Sequence, residues 1–104
     1  MDVMTVGSGE SASHFALHSV TLRALEYVVG VAIKDDFGFV LAVYDDAGRS
    51  QSAVICRGTP VRFTLDGPRE PVDEQCFSQM LEHARNGRLE LEIPAIDVDN
   101  MPIL

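Results

Sequence analysis

The chain has no tryptophan, two cysteines, and half as many basic side chains as acidic ones. Eight Lys and Arg against sixteen Asp and Glu leave a net charge of −8, which repels phosphate backbones and anionic lipid surfaces. Direct nucleic-acid binding and membrane association are therefore not expected. Cys56 and Cys76 form no CxxC and have no third partner, so neither a zinc site nor a disulfide framework is expected. Both read as free thiols in a reducing cytoplasm, placed as small hydrophobes inside apolar patterns. No basic stretch followed by an apolar one opens the sequence. No apolar run approaches the roughly eighteen residues of a membrane span. GxSxG, HExxH, P-loop and GxGxxG signatures are all missing, so the reading is a non-enzyme without metal or cofactor.

What is present suits one compact domain. The chain has 104 residues, of which 46% are hydrophobic and 23% charged, near the averages for globular chains. No repeat or low-complexity tract divides it. Residues 1–12, with Gly7-Ser8-Gly9, read as a flexible lead-in, residues 13–94 as the folded core and residues 95–104 as a C-terminal tail.

Between residues 13 and 34 there is no proline and only Gly30, which predicts one long helix capped by Ser11 or Ser13. At 100° steps, Ser19, Arg23, Glu26, Gly30 and Lys34 gather in one narrow polar stripe. Nearly everything else is apolar, an arc roughly twice as wide as the ~100° a surface helix normally hides. The centre of that arc, Leu25, Val28 and Ala32, is expected to face the protein's own sheet. One flank holds Phe15, Leu22, Val29 and Ile33 beside His14 and His18, and the other holds Val20, Tyr27 and Val31. One sheet face cannot cover such an arc, so a second chain is expected to supply the cover for a flank.

After Asp35-Asp36 the period shortens. Residues 39–44 (FVLAVY) are apolar on both faces, as a central strand covered on two sides would be. Asp45-Asp46-Ala47-Gly48 is turn chemistry, and residues 50–57 resume a strand up to the break at Gly58-Thr59-Pro60. Val61, Phe63 and Leu65 alternate with Arg62, Thr64 and Asp66, a strand with one wet face. A second, ordinarily amphipathic helix is expected with Pro71 as its first residue, with Val72, Cys76, Phe77, Met80, Leu81 and Ala84 on one face, up to Asn86-Gly87. Leu89, Leu91 and Ile93 form a fourth strand, which Pro94 ends. The expected architecture is a two-layer α+β fold in the order α-β-β-β-α-β, with a mostly antiparallel four-stranded sheet.

Chemistry-bearing residues are few. His14 and His18 stand at the i,i+4 spacing with which two imidazoles share a metal on a helix, yet no third ligand is placed beside them. Their position toward the apolar arc suits a packed or partner-facing surface better. Cys76 and His83 would lie about 10 Å apart along one helix, too far for a catalytic pair. The acids at 35–36, 45–46 and 73–74 suit turns and helix starts. The run 96–100 (IDVDN) lacks the glycine and closing glutamate of a calcium loop.

In length, acidity and the long opening helix at 13–34 ahead of a compact sheet, the whole chain resembles the small anti-activators that restrain LuxR-type quorum-sensing regulators. That resemblance implies a homodimer that occupies the dimerisation surface of a transcriptional activator and so keeps it off DNA. Class I type III secretion chaperones are a second likeness, from which this chain differs by ending soon after its fourth strand. A toxin-neutralising immunity protein is compatible in size and charge. A small enzyme or ligand binder with a pocket between sheet and helices is the competing class.

Overall fold

The computed structural model describes residues 2–45, 48–67 and 71–93, so the predicted tail at 95–104 and the acids at Asp97 and Asp99 lie outside the described residues. Two helices and six strands follow one another as β1 (Val3–Val6), β2 (Ser13–Ala16), α1 (Ser19–Asp35), β3 (Phe39–Asp45), β4 (Ser50–Ile55), β5 (Val61–Thr64), α2 (Glu74–Arg85) and β6 (Arg88–Ile93). The fold is α+β, as expected. Over residues 19–93 the expected order α-β-β-β-α-β holds, but a β-hairpin precedes it.

That hairpin corrects two expectations. Val3–Val6 form a strand where a flexible lead-in was expected, and the helix starts at Ser19 instead of residue 13, which lies in the second strand. Met4 and Val6 point inward from β1 while Thr5 points out, and on β2 Phe15 is buried between exposed His14 and Ala16. This is a period of two, hidden because both runs are only four residues long. Antiparallel pairing of Met4 with Phe15 and of Thr5 with His14 outweighs the helical preference of an isolated ALHS stretch. The connecting turn needs its glycines: Gly7 and Gly9 adopt φ of 93° and 67°, a region other residues enter at a cost.

Nor does the helix begin on Ser11 or Ser13. His18 is the N-cap, extended in backbone, and its Nδ1 accepts the Val20 N–H at 3.2 Å. At the other end Asp36 turns left-handed, and the Phe37 N–H donates to the Ala32 carbonyl at 3.0 Å, closing a Schellman ending. Helix α2 opens at Glu74, later than the expected Pro71, because Asp73 is the N-cap, its carboxylate accepting the Cys76 N–H at 3.0 Å.

The single four-stranded sheet is also corrected. Two three-stranded sheets form, in the orders β2-β1-β5 and β4-β3-β6. The cause sits at residues 56–60. The Thr59 N–H donates to the Cys56 carbonyl at 3.0 Å, making a tight turn, and the Pro60 carbonyl accepts the Gly7 N–H at 2.8 Å. Beyond that turn β5 pairs with β1 and not with β4. Pairing is antiparallel throughout except for β3 with β6, whose connection through α2 brings β6 in parallel.

The inward faces of both sheets and both helices share one apolar cluster. Met4, Phe15, Leu22, Leu25, Val28, Leu41, Ile55, Met80 and Leu89 all lie in it, and none is more than 2% exposed. Strand β3 is central to its sheet as expected, with Phe39, Leu41 and Val43 facing this cluster. It is not covered on both sides, since Val40 and Tyr44 on its other face are only half-buried and Val54 beside Val40 is exposed.

Candidate functional site

The apolar arc of α1 is covered largely by its own chain. Thr21, Leu22, Ala24, Leu25, Val28, Val29 and Ala32 are all buried, a band of roughly 160° at 100° per residue. The expectation that a second chain must shelter this arc is thereby overturned for the buried band. The N-terminal hairpin, the second sheet and α2 all supply atoms to the same cluster.

This sorts the two flanks. On the first, Phe15 is 2% exposed and Val29 4%, and Leu22 is fully buried, so these three are core and have no surface to offer a partner. Only Ile33 remains outside, 41% exposed. His14 is not on the helix. It stands exposed on β2, its Nδ1 3.0 Å from Thr5 Oγ1, while His18 caps α1. Four residues of mostly extended chain separate them by roughly 13 Å, so the spacing that would let two helical imidazoles share a metal does not arise. Among the described residues no group of three His, Cys, Asp or Glu is arranged to hold a metal ion.

On the second flank Tyr27 is 46% exposed, and Val20 and Val31 are half-buried. Tyr27 meets Phe77 of α2 edge-on, with ring centroids 6.3 Å apart and planes at 79°. Phe77 and Leu81, one turn apart on α2, are themselves half-buried and rest on the core. Val20, Tyr27, Val31, Phe77 and Leu81 thus make a partly uncovered apolar seam on the two-helix side. The sequence places Phe77 and Leu81 on the apolar face of α2 as core and does not join them to the flank of α1. Their i,i+4 spacing at the margin of the buried face was the available signal.

Two ion pairs frame the helices. Arg85 donates to Asp35 at 2.7 Å and lies over the Phe37 ring at 4.9 Å, tying the end of α2 to the end of α1. Arg23 reaches Glu26 at 3.5 Å, a weak contact within the polar stripe. On the outward face of the β4-β3-β6 sheet, the Tyr44 hydroxyl donates to Glu90 at 2.9 Å, and Arg88 donates to both at 2.9 and 3.1 Å. The Arg88 and Tyr44 hydrogen bonds hold the Glu90 carboxyl below the usual carboxylate range. All three side chains stand near water, so the cluster adds little stability.

The cysteines separate. Cys76 is half-buried against Met80 (Sγ to Sδ 3.6 Å), and burial first, then the Asp73 charge, pushes its thiol pKa up. That is the opposite of nucleophile activation. Cys56 is exposed, which corrects its expected burial, and its Sγ lies 3.3 Å from Thr59 Oγ1. A disulfide-exchange reagent such as DTNB will therefore react in two phases near neutral pH. Cys56→Ser will remove the fast phase and leave the slow one, and a fast phase surviving that change would contradict the assignment.

A groove of ≈ 420 Å³ runs between α2 and β6, with Met80, Leu89 and Leu91 along it and Tyr44, His83, Glu90 and Glu92 as polar lining. No described helix is long and apolar enough to cross a membrane. No protein-family model matches this chain, and neither a curated protein nor a solved structure matches it.

Proposed function

We propose that the protein is a non-enzymatic, protein-binding regulator, a homodimer that docks on a partner through the seam of Val20, Tyr27 and Val31 with Phe77 and Leu81. The observation that carries this reading is Tyr27, a large aromatic left 46% exposed and held rigid by its edge contact with Phe77. Aromatic anchors amid a polar rim are the groups on which protein interfaces concentrate their energy. Here Arg23, Glu26 and Lys34 supply such a rim from the same helix. The excess of acids over bases favours a basic partner by electrostatic steering. The resemblance to quorum-sensing anti-activators suggests the partner class, a LuxR-type transcriptional activator whose dimerisation surface would be occupied. Cytoplasmic residence follows from that partner.

The test uses light scattering after size exclusion, together with a gel-shift assay of a LuxR-type activator from the same source. The wild-type chain is expected to run as a dimer and to release the activator from DNA. Tyr27→Glu is expected to weaken the association with the activator by about 2 kcal/mol or more, roughly thirtyfold, with an unchanged urea midpoint. A monomeric wild type that leaves the activator on DNA would overturn the reading. Capture of an effector or a toxin in place of the activator would move the same seam to a secretion chaperone or an immunity protein.

One observation favours a second reading, a small-ligand binder. The groove between α2 and β6, at ≈ 420 Å³, falls in the size range of ligand pockets and joins an apolar floor to His83, Tyr44 and two carboxylates. A ligand there would raise the unfolding midpoint equally in wild type and Tyr27→Glu.

A further inference from the structure

The outward face of the β2-β1-β5 sheet carries a second feature that owes nothing to the helix seam. Register places His14, Thr5 and Arg62 side by side, one from each strand, because Thr5 pairs with His14 across β1-β2 and with Arg62 across β1-β5. The two outer strands lie about 10 Å apart at their backbones. Two long side chains therefore flank a short one, and the row is a saddle with Thr5 at its floor. At one end the saddle is closed by the Gly7-Ser8-Gly9 turn, which the bond from Gly7 N–H to the Pro60 carbonyl fastens to the start of β5. Together they enclose an open concavity of ≈ 380 Å³.

Its charge runs against that of the molecule. The chain has sixteen acids and eight bases, yet no Asp or Glu lines this concavity, while Arg62 and His14 do. Glu10 follows the glycine turn but is not part of the lining. Arg62 makes no ion pair among the described residues. The His14 ring is oriented by the 3.0 Å contact between its Nδ1 and Thr5 Oγ1. With the Thr5 hydroxyl donating, the ring proton sits on Nε2, which is then available as a donor. Arg62, His14 and Ser8 all line one acid-free hollow, and a guanidinium, an imidazole N–H and a hydroxyl are the donor types that a tetrahedral oxyanion needs. The volume exceeds that of phosphate alone and lies within the range of small-molecule sites.

We propose that this saddle binds a phosphate monoester, with Arg62 and His14 as its principal ligands and the Gly7–Gly9 turn as its wall. The probes are inorganic phosphate and ribose 5-phosphate, titrated at constant ionic strength into the full, ¹⁵N-labelled chain. Saturable amide shifts confined to Thr5, Gly7, Ser8, Gly9, His14 and Arg62 are expected. Arg62→Gln is expected to weaken binding at least about tenfold and His14→Gln severalfold, since each removes charge-assisted donors. Arg62→Lys, which keeps the charge but loses the fork, should fall between wild type and Arg62→Gln. Arg57→Gln, outside the lining, should stay within about twofold of wild type by the same scale. Ribose 5-phosphate binding more tightly than inorganic phosphate supports a phosphate monoester, and equal affinity would overturn that assignment in favour of free phosphate. Shifts that never saturate, that scatter over the surface, or that survive Arg62→Gln unchanged would overturn the proposal.

Discussion

A chain lacking residues 2–16 will not unfold cooperatively in urea and will bind a hydrophobic dye before denaturant is added. Met4, Val6 and Phe15 lie in the core at 0%, 7% and 2% exposure, so the deletion strips three side chains from the shared cluster. Losses of about 2–5 kcal/mol for each large side chain exceed, in sum, much of the 5–15 kcal/mol that a domain of this size commands. The deletion also removes β1, the strand with which β5 pairs, and leaves the β5 backbone groups without their ladder. A sigmoidal transition retained within about 1 kcal/mol of the full chain would show that the hairpin is dispensable.

Leu22→Ala will lower the unfolding free energy by about 2–5 kcal/mol, whereas Ile33→Ala will change it by no more than about 0.5 kcal/mol. Both residues lie on one flank of the same helix, and sequence alone ranks them together. Leu22 is 0% exposed and makes a cavity when truncated, while Ile33 is 41% exposed and already meets water. Urea midpoints with an unchanged slope settle the comparison, and equal losses at the two positions would refute the burial assignment. The same logic bears on functional tests. A glutamate at Phe15 or Val29 reports on folding, because both are core, while one at Tyr27 reports on association.

Most of the chain after residue 38 was legible. Alternation marked β5 and β6, a doubly apolar run marked β3, and Met80 and Ala84 marked the inner face of α2, whose start was placed at Pro71 and falls at Glu74. The first eighteen residues were not, for a physical reason. Strands of four residues carry only two inward positions each, too few to establish a period, and glycine and serine between them resemble a mobile terminus. The seam was half legible. Val20, Tyr27 and Val31 were placed on one flank of α1, but Phe77 and Leu81 became part of it only when α2 packed alongside. The saddle was invisible, since His14, Thr5 and Arg62 are separated by up to 57 positions and meet only through strand register.

Composition and periodicity by themselves determined the class of fold, the presence of both helices and the central place of β3, because these follow from how often an apolar side chain recurs along the backbone. Which strands pair, and therefore which apolar residues on α1 lie inside, was decided only in three dimensions. A hydrophobic pattern specifies that a face must be covered but not by what. The turn at Cys56–Pro60, which sends β5 to β1, supplied that answer here.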